Sequence, residues 1–348
     1  MKLPAQNRRA FGPLLAALVL WQSSCALGII LHPDGEPNLA AWTDRPHEDV
    51  VGRWGNNASC VAISSNCVIT TQHQKAKADT LVEIAGNTYT VSEIWNHDTA
   101  DLRIARLYGA NLASFVGVYE STDEIVKKIV IGGYGNGRGE LLQNQGITYG
   151  HAWDDSGNTT LRFGTNLIED IKDQNTVDPF TSDILIADFD GLNEGDSTIY
   201  ESIPANHDSG SGWFIKVGET WQLAGLSRAV DTHFEEGHED DPNYIVYEAW
   251  FRDRADPTKP RPDYLDAVRL GSYAKWISDM LPSVPPGDLN GDDRVDSFDL
   301  AVFGLRWLRT DCQPPDFCLR ADSEPDGDVD WLDLAHFAVH WLDDHSIP

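Results

Sequence analysis

Positive charge is scarce in this chain of 348 residues: 26 Lys and Arg stand against 55 Asp and Glu, a formal net charge of −29. Nucleic acid and anionic lipid both need a cationic face, so neither is an expected partner. Cysteine is sparse too, with five in all. Neither close pair, Cys60/Cys67 or Cys312/Cys318, has a His or a second Cys pair at zinc-site spacing. Segments of 3.6-residue period are few, which argues against a helical bundle. What is present is 41% hydrophobic residues and 12 Trp, too rich a content for a disordered acidic chain.

Residues 1–26 read as an export signal, with Lys2, Arg8 and Arg9 ahead of the apolar stretch from Phe11 to Trp21 and the small-residue site Ser24-Cys25-Ala26. The apolar stretch is too short to span a membrane comfortably, so no stable span is expected after cleavage near Ala26. A lipid-modified Cys25 is the rival reading, and Gln22 stands against it where a lipobox has an aliphatic residue. The remaining cysteines are expected either as local disulfides, Cys60–Cys67 and Cys312–Cys318, or as unpaired small hydrophobes.

The Pro-rich stretch Leu281-Pro-Ser-Val-Pro-Pro286 separates a large region from an acidic tail, giving a domain over 27–281, a linker over 282–286 and a second domain over 287–348. In the large region, short apolar runs such as Cys60–Ile63, Leu102–Leu107, Ile129–Ile131 and Trp213–Val217 are broken by turn residues. That rhythm predicts an all-β barrel or sandwich. One helix is expected from about Tyr273 to Leu281, with Tyr273, Trp276, Ile277 and Met280 on one face.

The tail is a duplication. Residues 322–342 repeat 288–308, superposing Asp288 on Asp322, Val295 on Val329, Phe303 on Phe337 and Trp307 on Trp341. Each copy opens with a loop carrying oxygen side chains at positions 1, 3, 5, 9 and 12, the pattern Ca²⁺ requires. These are Asp288, Asn290, Asp292, Asp296 and Asp299, then Asp322, Glu324, Asp326, Asp330 and Asp333. Position 7 offers a backbone carbonyl, from Arg294 and Asp328. Two ions are therefore expected, because without them the carboxylates would repel. Asp293 stands at the sixth position, usually Gly, and the longer Glu324 at the third position of the second loop.

A helix is expected after each loop and none before. Over 287–342 the tail resembles a dockerin, a resemblance that implies calcium-dependent folding and docking onto a cohesin-type receptor. Together with an export signal it implies a secreted or cell-surface protein of bacterial origin. Ser297-Phe298 and Trp331-Leu332 occupy the positions that often carry recognition in that family.

In the large region His73 ends the apolar run Val68-Ile-Thr-Thr-Gln-His73, Asp101 opens the alternating stretch Asp101-Leu-Arg-Ile-Ala-Arg-Leu107, and Ser209 lies in the Gly-rich turn Asn206-His-Asp-Ser-Gly-Ser-Gly-Trp213. In this order the three motifs resemble those of the chymotrypsin-like serine peptidases. Supporting matches are Ile131-Gly-Gly-Tyr-Gly135, Gly225-Leu-Ser227 and the segment from Tyr264 to Ile277.

The resemblance implies two six-stranded β-barrels followed by a small all-α module, and hydrolysis of protein or peptide substrates by a His73–Asp101–Ser209 triad without a catalytic cofactor. It also implies an oxyanion hole from the His207 and Ser209 amides and a structural role for Asp208. Substrate contacts are implied at Ser227 and at Ile203, the specificity position, where the absence of Asp implies no preference for cleavage after Lys or Arg.

Several residues depart from the family pattern. His207 replaces the oxyanion-loop Gly, and Gln74 replaces a disulfide Cys, which leaves Cys67 as the expected partner of Cys60. Gly28-Ile-Ile30 is only a weak substitute for an activation site. The alternative function is that of an inactive homologue, a binding module delivered by the same tail.

Overall fold

The computed structural model describes residues 29–32, 41–154, 157, 159–234, 245–281, 286–291, 294–312 and 317–343. The expected export signal, residues 282–285 of the expected linker and the expected ligand Asp292 lie outside them.

Six strands close a barrel in the order Val51–Trp54, Ala58–Ala62, Cys67–Thr70, Arg103–Leu107, Asn87–Asn96 and Leu81–Ile84. Alternate side chains face opposite sides of its wall. Trp54, Cys60, Ala62, Val68, Val82 and Ala105 fill the interior. Val61, Cys67, Ile69 and Ile104 face outward and are buried against Phe163, Phe214, Leu226 and Val268 of the second half. In Ala58–Ala62 and Cys67–Thr70 both faces are thus buried, which is why these strands lack the exposed polar alternates of Leu81–Ile84 and Asn87–Asn96.

The same alternation overturns the Cys60–Cys67 disulfide. Cys60 points into the barrel and Cys67 out of it, so the two buried residues stand as separate thiols. Burial pushes the Cys60 thiol well above its ordinary range. Cys312 and Cys318 do form a disulfide.

The second half is a seven-stranded sheet in the order Arg162–Leu167, Lys128–Gly133, Gly212–Val217, Thr220–Val230, Tyr264–Arg269, Phe180–Asp188 and Asp170–Val177. The expected second six-stranded barrel is not closed by a backbone ladder among the described residues. The sheet's two edge strands, Arg162–Leu167 and Asp170–Val177, are instead consecutive in the chain, Glu169 N–H between them donates to Ile186 O (2.9 Å), and the buried Asn166 amide donates to the carbonyls of Asp188 (2.7 Å) and Ser202 (3.0 Å). Inside lie Ile131, Leu185, Trp213, Ala224 and Ala267, joined by Ile29 and Ile30. The closing helix runs Ala274–Met280, within the expected range.

In the tail, helices Ser297–Gly304 and Trp331–Val339 each begin with a reciprocal cap. Asp296 caps the first and receives Asp299 in return, and Asp330 and Asp333 do the same for the second. Phe303 and Phe337 stack at 5.6 Å between them. The backbone of each repeat bonds the other, Leu308 N–H to Val329 O (2.9 Å) and Leu342 N–H to Val295 O (2.8 Å). The first loop also touches the barrel, where the Asn111 amide donates to Leu289 O (2.5 Å).

In denaturant without reductant, iodoacetamide is expected to modify Cys60 and Cys67 and to spare Cys312 and Cys318 until a reductant is added. A peptide mass map in which Cys60 and Cys67 also resist contradicts the strand register.

Candidate active site

Three loops converge on the seam between barrel and sheet. Gln72, just past the strand Cys67–Thr70, donates its side-chain amide to the carbonyls of His97 (2.9 Å) and Ala100 (3.1 Å), tying the two segments that carry His73 and Asp101. Asp101 is buried, and its own N–H donates to the hydroxyl of Ser182 across the seam at 3.0 Å.

One Asp101 oxygen accepts the backbone N–H of His73 (2.7 Å) and the other lies 2.6 Å from His73 Nδ1. A carboxylate only accepts, so the proton sits on Nδ1 and leaves Nε2 as an acceptor. Nε2 lies 2.8 Å from Ser209 Oγ. The structure therefore brings together all three residues singled out by the sequence.

Ser209 is latched from both sides, with Ser59 N–H donating to its carbonyl (2.9 Å) and Gly210 N–H to Ser227 O (2.9 Å). Gly210 has φ 82°, and a Cβ there would meet Ser59 O at 2.3 Å and Thr70 Oγ1 at 2.2 Å. Only glycine fits this position. His207 also takes a left-handed backbone, φ 73°, the conformation for which glycine is favoured.

Asp208 is fully buried and accepts from the amides of Gly135 (2.7 Å), Ala205 (3.0 Å) and Ile29. Burial pushes its carboxyl up to about 6, against the pull of these donors and of the Arg162 charge.

A cleft of about 510 Å³ opens beside Ser209, walled by Pro204–His207, by Ala229–Thr232 and by Ile245–Tyr247 with Trp153. Ile203 does not line it. The expected specificity residue pairs with Ile30 in the sheet register and is buried in the core, because strand alternation turns it inward. Ser227 does border the cleft, but its hydroxyl is engaged by Ser211 Oγ (2.6 Å) and Trp213 Nε1 (2.9 Å). Its side chain braces the nucleophile loop.

In the tail, Asp288, Asp299, Asp322 and Asp333 are all buried. Asp299 Oδ1 accepts the amides of Leu289 and Asn290, as Asp333 Oδ1 accepts that of Ser323. Asp296 and Asp330 act as helix caps, and Asp328 donates its N–H to Asp326 Oδ1. Glu324 Oε1 is shut off from solvent without a hydrogen-bond partner, while burial and the charges of Asp326 and Asp333 raise its pKa. An orphaned carboxylate oxygen among like charges fits a cation.

Ser182 and Ser59 escaped the sequence reading because each acts through a long-range contact and lies in no motif. So did Glu169, Asp188 and Asp190, the one set of three among the described residues whose carboxylate oxygens lie within 4.8 Å of one another. Burial, then Asp190 and Glu169, push Asp188 up to about 7.

No protein-family model matches the chain, and no curated protein matches it in sequence. Among solved structures it is similar to neuropsin, a serine protease expressed in the limbic system of mouse brain, at 15% identity, covering 68% of this chain and 95% of that one with a TM-score of 0.43. At that level the likeness adds no weight, and the chemistry rests on the geometry above. No helix among the described residues is long and apolar enough to cross a membrane.

With its folded pKa above the unfolded value near 3.9, Asp188 keeps a proton that the unfolded chain has lost, so stability falls as pH rises from about 4 to about 7. Asp188→Asn is expected to stabilise the protein at pH 8 by about 1–2 kcal/mol, discounted for partial exposure, and to leave pH 4 unchanged. Urea titrations at both pH values check this, and equal effects at both would contradict it.

Proposed function

We propose that the protein is a secreted serine endopeptidase of the chymotrypsin-like class, carrying a calcium-binding tail of dockerin type that attaches it to a cohesin-type receptor. The observation that carries the reading is the unbroken path Asp101 Oδ2–His73–Ser209 Oγ, with contacts of 2.6 and 2.8 Å.

Along this path Ser209 Oγ attacks the scissile carbonyl as His73 Nε2 takes its proton, and Asp101 holds the tautomer and steadies the imidazolium. His73 then protonates the leaving amine, and water releases the acyl group by the same route in reverse. The amides of Ser209 and His207 are assigned to the oxyanion, a stabilisation of about 3 kcal/mol per donor in such sites. The left-handed backbone at His207 costs about 1 kcal/mol, a cost that pre-shapes the hole. The intact contact between Ser209 and His73 favours the enzyme over the inactive binding module.

In the tail, Asp288, Asn290, Asp292, Asp296 and Asp299 would hold one Ca²⁺ and Asp322, Glu324, Asp326, Asp330 and Asp333 a second, with the carbonyls of Arg294 and Asp328. The ions supply the charge that lets those carboxylates gather.

A fluorophosphonate probe is expected to label the wild type at Ser209 and to leave Ser209→Ala unlabelled, while Asp101→Asn slows peptide hydrolysis by about 10⁴. Absence of labelling in folded wild-type protein sinks the enzyme reading and leaves the binding module.

A further inference from the structure

The two tail loops are near copies, yet their surroundings carry different charge. They face a common cavity of about 520 Å³ lined by Asp288, Arg320, Asp322 and Asp333. Arg320, two residues ahead of the second repeat, crosses to the first loop. Its Nη2 donates to the backbone carbonyl of Asp288. The side chain is half-buried there; burial lowers its pKa, and the carboxylates of Asp288 and Asp299 pull the other way. Both are first-loop ligands in the calcium reading.

The repeat symmetry supplies no reciprocal cation to the second loop, because the residue one repeat length before Arg320 is Pro286. Among the described residues a histidine does lie beside it, with His336 Nδ1 3.2 Å from Ser323 Oγ. The second loop instead holds the orphaned Glu324 Oε1. Among the described residues, the first loop thus has a permanent cation bonded to its backbone, and the second has only a histidine beside it.

We propose that Arg320 is a built-in counter-cation for the first calcium loop, so that the two loops bind Ca²⁺ unequally and the second is the tighter site. The inference rests on the calcium reading above. A divalent ion entering the first loop meets a fixed positive charge, and the repulsion survives in a poorly solvated site where salt screens little. Arg also cannot lose its proton to make way.

Calorimetric titration of the chelator-stripped full chain with Ca²⁺ tests this without reference to peptidase activity. Wild type is expected to show two sites differing about tenfold or more in affinity. Arg320→Gln, which keeps a donor for Asp288 O and removes the charge, should tighten the weaker site about tenfold, and Arg320→Lys should leave it weak. Independently of any change at Arg320, Asp322→Ala should abolish the tight site and Asp288→Ala the weak one. Two equal wild-type sites, a tight site lost in Asp288→Ala, or an Arg320→Gln titration matching wild type each overturns the role of Arg320 while leaving the calcium reading standing. No heat of binding in wild type overturns both.

Discussion

The path from Asp101 through His73 to Ser209 spans the seam between two separately built halves. Asp101 and His73 belong to the closed barrel, and Ser209 to the seven-stranded sheet. Contacts of 2.6 and 2.8 Å between side chains so far apart in sequence persist only if the halves cannot slide. Val61, Ile69 and Ile104 on one side and Phe163, Phe214 and Leu226 on the other form the dry layer that prevents sliding. Two polar bonds, Ser59 N–H to Ser209 O and Asp101 N–H to Ser182 Oγ, then fix the register across it.

The nucleophile loop shows what this constraint costs. Asp208 is buried, and three backbone amides support its carboxylate in place of water. Gly135 is needed because a Cβ there would stand 2.1 Å from the Asp208 carboxylate. Strain at His207 and the obligatory glycine at position 210 belong to the same tight turn. Residues that break local backbone preference therefore cluster beside the cleft, where over-determined packing can hold them.

Charge plays opposite parts in the two regions. In the large region burial pushes the Glu201 carboxyl up to about 8, which favours its neutral form. In the tail 15 of the acids face only 4 bases, and buried carboxylates converge in two loops. Helix caps absorb some of that charge through backbone donors, since Asp296, Asp299, Asp330 and Asp333 each accept amides. The tail thus couples helix formation to whatever neutralises its loops.

Local pattern made much of this legible in advance. Turn-broken apolar runs specify strands, the repeated spacing of acids with Phe303 and Phe337 specifies two matched loop-helix units, and the motifs around His73, Asp101 and Ser209 locate the three side chains that meet. Pattern failed wherever the answer depended on which way a side chain faced across the assembled wall. Cys60 and Cys67 sit close in sequence but on opposite faces, and Ile203 turns into the core. The edges of the second sheet are brought together by one continuous stretch of chain, residues 162–177, and by the Asn166 side chain, where a full backbone ladder was expected. Sequence determines strand, loop and cap because those follow from neighbours a few residues apart. Only the tertiary structure decided the partners of Asp101, the shape of the cleft and the crossing of Arg320 into the first loop, because each depends on packing between segments that the chain keeps far apart.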